Sequence, residues 1–312
     1  MNDTLAIVIP AYKGAYLPQT LDALSEQTCK DFNVYIGDDC SPDDINSIVE
    51  TFRSRLNISY CRFETNLGGV SLPSHWTRSI ELSKIESWIW LLPDDDVPDN
   101  NCVEEFMNEI RTTSDQSYLY RFNTRHINEK NEIIRVLPQS PRLETNIQFV
   151  FNKLSFNRNS TLAEYIFSKS KYLEVGGFYD LPLAWGSDDL LWVNLSYDYD
   201  IVTLGGASVS LRQSVLNISN NQADYLYEKF DAKYKMLNCL LGDYQFVAKL
   251  NKESSLNHFI DCIIQHLFFE YKSSNYPMSF TNILQLANRN KKLIGGSFIH
   301  NVFRLLLFKI KN

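Results

Sequence analysis

The chain has 312 residues, of which 44% are apolar, 13% aromatic and 21% charged. It is long enough to bury one large core, with or without an appendage, and too apolar for wholesale disorder. Twelve Gly and ten Pro exclude collagen-like or low-complexity sequence, and a net charge of −7 argues against a broad basic face for nucleic acid.

Six Cys (29, 40, 61, 102, 239 and 262) are scattered without a C-x-x-C pair. Neither a zinc site nor a disulfide framework is expected, and a reducing cytoplasm fits. No run reaches the roughly 18 to 20 apolar residues of a membrane span. No basic segment precedes an apolar stretch at the start, so no signal peptide is expected. Without secretion the N-x-S/T triplets at Asn57, Asn159, Asn194 and Asn217 carry no glycosylation meaning.

In chain order, Leu5 to Ile9 is a short β-rich run ended by Pro10, and reads as a buried strand. Tyr16 to Gln27 carries Leu17, Leu21 and Leu24 at helical spacing. Phe32 to Ile36 is strand-like, and Asp38-Asp39-Cys40-Ser41-Pro42 then turns into a helix near Ile45. Ile58 to Phe63 reads as a strand, Leu72 to Leu82 as a helix, and Trp88 to Leu92 as a strand stopped by Pro93. Cys102 to Ile110 is a helix and Tyr118 to Phe122 a strand. This alternation predicts an α/β fold with a mostly parallel sheet flanked by helices, whose ligands bind beyond the carboxyl ends of the strands. Residues 123 to 215 mix short elements with weak signals. From about 222 helical periodicity dominates, over Tyr225–Leu241, Leu256–Tyr271, Phe280–Ala287 and Phe298–Ile310. The boundary falls near Asn217–Asn221. The expected division is a sheet domain over 1–218, with halves of about 1–122 and 123–218, and a helical C-terminal region over 219–312.

Three acidic clusters carry the chemistry. Asp94, Asp95 and Asp96 follow a buried strand, where three unpaired carboxylates repel one another. A divalent cation resolves that repulsion, since Mg²⁺ or Mn²⁺ takes one or two carboxylates together with phosphate oxygens and water. The alternative is a solvated cluster that favours the dipole of the helix starting at Cys102. Asp38 and Asp39 sit at another strand end, where an acid can accept hydrogen bonds from a nucleobase or ribose; the alternative is that Asp39 or Ser41 caps the next helix. Gly176-Gly177-Phe178-Tyr179 permits a tight turn, and Asp188-Asp189 then opens a helix. An Asp there can act as general base on a hydroxyl, or simply cap the helix.

Together, Pro10-Ala11-Tyr12, Asp38-Asp39-x-Ser41, Asp94–Asp96 and Gly-Gly-Phe followed by Asp188-Asp189 stand in the order and spacing of the family 2 glycosyltransferases. Over residues 4 to 215 the chain resembles the inverting, GT-A members of that family. The stretches Asn66-Leu67-Gly68-Gly69, His75-Trp76 and Trp88 to Asp96 are similar to a subgroup that builds bacterial O-antigen and capsule.

The resemblance implies roles residue by residue. Pro10, Ala11 and Tyr12 would line the base pocket, and Asp39 would bond the nucleobase, usually uracil. Asp94 and Asp96 fit the D-x-D pattern, the first toward the ribose and the last on Mn²⁺ or Mg²⁺, with Asp95 beside them. Asp188 matches the catalytic base and Asp189 is its fallback. Trp185 is an acceptor-side candidate. Three positions depart from the family: Ser187 stands before Asp188 where Glu is common, Asn194 where an Arg is frequent, and Trp76-Thr77-Arg78-Ser79 replaces an Arg-Asn-x-Gly pattern. The implied reaction moves a sugar from a nucleotide-diphosphate sugar, typically UDP-linked, to a hydroxyl of a glycan or lipid-linked acceptor in surface polysaccharide assembly. The alternatives are a sugar-1-phosphate nucleotidyltransferase, for which Tyr12 to Leu17 is a poor triphosphate loop, and a non-catalytic nucleotide-sugar-binding partner.

From Tyr271 onward there are seven Lys/Arg and no Asp or Glu, leaving 23 basic against 37 acidic residues before it. Ile299, Val302, Phe303, Leu306 and Ile310 follow helical spacing there. The tail therefore reads either as a basic amphipathic helix on an anionic membrane surface or as a helix that packs on the chain or in a homodimer. The first places the protein at the inner face of the cell membrane.

Overall fold

The computed structural model describes residues 4–112, 117–214 and 225–252, with scattered positions between 258 and 288. The expected boundary at 218/219, most of the helices beyond 252 and the basic amphipathic tail lie outside the described residues. No described helix is long and apolar enough to cross a membrane.

Contacts group the chain into two units. The first comprises Met1–Asn146, Ser160–Asp180 and Ser187–Asn220, and the second Ile147–Asn159, Leu181–Gly186 and Asn221–Asn312. The first unit is built on one ten-stranded sheet. Its parallel half is β1 (Leu5–Ala11), β2 (Phe32–Asp38), β3 (Ile58–Arg62) and β4 (Trp88–Leu91), in the order β3-β2-β1-β4. The helices between these strands are α1 (Leu17–Ser25), α2 (Ile45–Glu50) and α3 (Leu72–Ile80). Short β5 (Val97–Pro98) and α4 (Cys102–Thr112) follow β4.

The other half holds β6 (Leu119–Ile127), β7 (Ile133–Val136), β8 (Leu143–Glu144), β9 (Tyr165–Ser168) and β10 (Ile201–Arg212). β9 runs antiparallel to both β4 and β6, so β6 and its parallel neighbour β10 point the same way as β4. The carboxyl ends of β1, β2, β4, β6 and β10 thus open on one edge. Helices α5 (Asn146–Leu154), α6 (Lys169–Glu174) and α7 (Ser187–Leu195) complete the elements before 215, and α8 (Leu226–Gly242) and α9 (Tyr244–Lys252) come after it.

β1 is central and buried on both faces, which is why it reads as a continuous apolar run. The expected stop at Pro10 is corrected by the register, which carries β1 to Ala11. Leu92 N donates to Val8 O and Asp39 N to Ala11 O, so even-numbered residues turn their backbone groups toward β4 and odd-numbered ones toward β2. The N–H that Pro10 lacks therefore faces β4, whose pairing with β1 has already ended at Val8–Leu91. The alternation continues in β2. Val34 and Ile36 join Leu17, Leu21, Leu24, Ile45 and Phe106 in the main apolar cluster, while Gly37 turns to the opposite face and meets α3.

Gly37 is needed for that approach. A Cβ there would lie 2.4 Å from Ser79 Oγ and 3.0 Å from the Phe63 ring. Ser79 is fully buried and already donates to His75 O at 2.9 Å. Gly37→Ala is expected to cost about 1–3 kcal/mol, as overpacking does. A calorimetric melt reads this as a lower Tm, and an unchanged Tm would show that α3 gives way freely.

The second unit is helical in its described parts. Phe151 stacks on His258 at 5.0 Å, Phe246 and Phe151 each meet Phe259 edge-on at 5.5 Å, and Phe156 stacks on His266 at 4.5 Å. α8 covers a short 3₁₀ turn at Pro182–Ala184. Segments 147–159 and 181–186, which lie within the 1–218 stretch, thus group with this unit.

Candidate functional site

The acidic turn after β4 is folded inward. Asp94 Oδ2 accepts from the backbone N–H of Tyr12 at 2.8 Å and of Lys13 at 2.9 Å, which fixes the loop between β1 and α1. Asp96, 7% exposed, accepts from Arg212 N at 2.9 Å through Oδ1, while its backbone carbonyl accepts from Thr20 Oγ1 at 2.9 Å. The half-buried Asp95 carboxylate takes no hydrogen bond from another described residue; only its carbonyl is bonded, by Arg212 Nε at 2.9 Å. This differs from a solvated cluster ahead of α4.

Three carboxylates in one turn disturb one another. Burial raises the pKa of all three from the ordinary Asp value. Asp95 reaches about 6 through burial and then the charge of Asp94, and Asp96 is held well above its ordinary value by burial and then the charge of Asp95. An unfolded Asp releases its proton near 3.9. Between those values the folded chain binds more protons than the unfolded one, so Asp95 lowers stability as pH rises through that window. Asp95→Asn is therefore expected to raise the Tm of the metal-free chain at pH 7.5, with the gain vanishing toward pH 4. A gain equal at both pH values would assign it to something other than charge.

Among the described residues no three His, Cys, Asp or Glu side chains form a ready metal cage. The donor set nevertheless fits a hard cation. The Asp95 carboxylate and Asp96 Oδ2 are uncommitted oxygens whose mutual repulsion a divalent ion relieves, and water and phosphate oxygens supply the remaining ligands.

The surroundings of Asp39 are equally built. Asp39 follows β2 and is buried. Its Oδ1 accepts from Leu67 N at 2.8 Å and its Oδ2 from Gly68 N at 2.8 Å. Arg78 donates a close charge-assisted bond to Oδ1, and its guanidinium lies 3.9 Å over the Phe63 ring. His75 Nδ1 is 3.4 Å from the same oxygen. Burial holds the His75 pKa down to about 4, an effect that Asp39 opposes and Arg78 reinforces, so the ring is neutral. Asp39 and Ser41 do not cap α2, as one alternative expects; Asp44 does, accepting from Ser47 N at 3.1 Å. Ser41 Oγ instead donates to Tyr12 O at 2.5 Å. The Tyr12 backbone is thus gripped at both its N–H and its carbonyl, while the residue stays 40% exposed. Pro10 and Ala11 end β1 directly before it.

The Gly-Gly turn takes the left-handed conformation, with φ of 84° at Gly176 and 76° at Gly177. It brings Phe178 against Trp76 at 5.2 Å and lets Asp180 accept from Ser71 Oγ, the N-cap of α3, at 2.9 Å. α3 follows the loop that clamps Asp39, so the Gly-Gly turn is tied to the Asp39 region. α7 then carries Asp188 and Asp189 in its first turn. Trp192 anchors this helix by stacking on Tyr165 at 4.4 Å. Within α7 only Asp188 and Asn194 are partly exposed; Asp189 is buried at 6%. Asp188 Oδ1 accepts from Asp189 N at 2.9 Å. Trp185 belongs to the helical unit, where the Lys229 ammonium lies 4.6 Å over its ring.

The model of the family described as glycosyl transferase family 2 matches residues 6–169, which spans β1 through the start of α6 and includes Asp39 and the acidic turn. The chain belongs to glycosyl transferase family 2. Among its relatives, the poly(ribitol-phosphate) beta-N-acetylglucosaminyltransferase TarS of Staphylococcus aureus is 33% identical over 94 residues, which is 29% of this chain and 16% of that protein. The validoxylamine A glucosyltransferase of Streptomyces hygroscopicus is 40% identical over 67 residues, 20% of this chain and 16% of that protein. The aligned stretch is thus a small part of these curated relatives. An S. aureus TarS structure in complex with UDP-GlcNAc superposes with a TM-score of 0.68 at 17% identity, covering 96% of this chain and 81% of that one. The mannosyltransferase PcManGT of Pyrobaculum calidifontis, in complex with GDP-Man and Mn²⁺, gives 0.55 at 12% identity and covers 99% and 92%. At such identities the likeness establishes the fold, which is GT-A, and the family establishes a glycosyltransferase.

Sequence reasoning missed the supports of the candidate site. Arg78 stood out only as a departure from a pattern, and Arg212 not at all. Leu67 and Gly68 act through backbone N–H groups, which leave no side-chain signal. The Asn66 to Gly69 loop, with its paired glycines, was the one visible cue.

Proposed function

We propose that the chain is an inverting, divalent-metal-dependent glycosyltransferase that moves a sugar from a uridine diphosphate-linked donor to a hydroxyl of a glycan or lipid-linked acceptor in surface polysaccharide assembly. The observation that carries this reading is the acidic turn: Asp95 and Asp96 keep uncommitted carboxylate oxygens at raised pKa, and Asp94 locks that turn onto the loop bearing Tyr12. The TarS and PcManGT complexes with UDP-GlcNAc and with GDP-Man and Mn²⁺ support it by analogy of fold.

In this reading Pro10, Ala11 and the exposed Tyr12 ring wall the nucleobase pocket and Asp39 faces the base edge. Asp96, with Asp95 beside it, would hold Mn²⁺ or Mg²⁺, and Asp94 would set the turn beside the ribose. When bound, the metal neutralises the charge that grows on the departing diphosphate. The acceptor oxygen bonds to the anomeric carbon as the bond to the diphosphate oxygen breaks and its electron pair leaves with the diphosphate. Asp188 accepts the hydroxyl proton during that attack. Attack opposite the leaving group inverts the anomeric centre. The basic tail would hold the enzyme against the anionic inner face of the membrane, the setting of a lipid-linked acceptor.

Titration calorimetry with UDP, alone and with Mn²⁺ or Mg²⁺, tests the reading. UDP binding that tightens with metal, together with slow hydrolysis of a UDP-sugar, is the expected result. Indifference to uridine, thymidine and guanosine diphosphates with either metal would overturn it. Asp95→Asn should bind Mn²⁺ at least about tenfold more weakly, although it folds more stably without metal.

A further inference from the structure

Arg212 is the last residue of β10, lies beyond the family match and is 1% exposed. Its backbone N–H donates to Asp96 Oδ1 at 2.9 Å and its Nε to Asp95 O at 2.9 Å. One residue thus fixes both a side chain and a carbonyl of the acidic turn. The rest of the guanidinium points elsewhere. Nη1 donates to Asn128 O at 2.8 Å, and Nη2 to Gln19 Oε1 and Asn131 Oδ1, each at 2.6 Å. The Tyr16 ring covers the group at 4.4 Å. At least four of the five N–H donors are therefore spent on protein acceptors, which suits a residue that sets geometry rather than one that grips a ligand phosphate.

Asn128 and Asn131 form the turn between β6 and β7, and that turn is itself ordered. Asn128 Oδ1 accepts from Lys130 N at 2.9 Å and Glu132 N at 3.0 Å, and Asn131 N donates to Asn128 O at 3.1 Å. Asn131 takes a left-handed φ of 65°, which Asn tolerates better than most side chains, and it holds an acceptor against the guanidinium. The turn ends β6 on the same sheet edge as the acidic turn.

We propose that Arg212 is a positioning residue that makes the acidic turn, the start of α1 and the β6–β7 turn one coupled unit, so that a change at Asn128–Asn131 is transmitted to Asp95 and Asp96. The coupling stands on the structure alone; its value to catalysis rests on the reading of Asp95 and Asp96 as metal-holding groups. Arg212→Lys would keep the charge but lose the fork, because an ammonium cannot span acceptors that diverge toward three segments.

The test is hydrogen exchange by mass spectrometry on the full chain, with Mn²⁺ affinity measured in parallel by calorimetry. Arg212→Gln and Arg212→Lys are expected to speed exchange in peptides covering 16–20, 93–97 and 128–132, and to weaken Mn²⁺ binding at least about tenfold. Asn131→Gly leaves Arg212 in place and suits the left-handed backbone. It should still speed exchange at 93–97 and weaken Mn²⁺ binding in the same direction by less. A purely local role for Asn131 would confine the faster exchange to 128–132, and that result, with Mn²⁺ affinity unchanged, would overturn the proposal even if the Arg212 variants failed to fold. A wild-type chain that binds no Mn²⁺ would instead sink the metal reading, while the exchange data still decide the coupling.

Discussion

Asp188→Asn should lower sugar transfer by at least about 10²-fold while UDP and Mn²⁺ bind as in wild type. A general base contributes roughly 10²–10⁴-fold, and the loss falls on the step that moves a proton. An acceptor hydroxyl ionises far above neutral pH, so it attacks effectively only as its proton leaves. Asn keeps the shape of Asp188 and its capacity to accept from Asp189 N. Asp189 is the contrasting control. It is buried in a helix whose other residues, apart from Asp188 and Asn194, are also buried, so Asp189→Asn should register first as a lower Tm. Steady-state transfer, nucleotide titration and melting on both variants separate the two. Near-normal turnover by Asp188→Asn with a well-folded but dead Asp189→Asn would move the base to Asp189.

What was legible in the sequence was the part that local patterning controls. The parallel half of the sheet could be read because β1, β2 and β4 are short, largely apolar runs with Pro or Asp at or near their ends, and α1 and α2 repeat Leu or Ile at helical spacing. The acidic clusters could be read because their place at strand ends follows from the same runs. Two kinds of feature escaped. One was short structure that only tertiary pairing stabilises: β9 is four residues inserted antiparallel between β4 and β6, and β5 and β8 are two residues each. The other was long-range support. Arg212 lies 116 positions from Asp96, and Leu67 and Gly68 lie 28 and 29 from Asp39. Pro10 marks the limit of a local rule, since its missing N–H is harmless only because β4 has stopped pairing on that side.

The acids that resemblance makes functional also do structural work, and Asp39 shows how far the two are joined. Asp39→Asn is expected to be nearly as damaging as Asp39→Ala, at about 3–5 kcal/mol of folding stability, the range for removing one partner of a buried ion pair. The carboxylate faces donors on both oxygens: Leu67 N and Arg78 on one, Gly68 N on the other. An amide in either orientation turns its own N–H₂ against one of these donors. Arg78, 19% exposed and stacked on Phe63, would be left without its counter-charge, and the neutral His75 beside it cannot supply one. Removing the stranded charge as well should help, so Asp39→Asn with Arg78→Leu should recover part of the lost stability, a non-additivity expected for contacting residues. It should not recover UDP binding if Asp39 serves the base as proposed, because the carboxylate and the bonds that order the 66–69 loop are both gone. Urea unfolding and UDP titration on the two single variants and the double variant measure both effects. A double variant that regained nucleotide affinity along with stability would show that Asp39 serves the fold alone. A single Asp39→Asn chain as stable as wild type would show that the Leu67 and Gly68 bonds do not hold that loop.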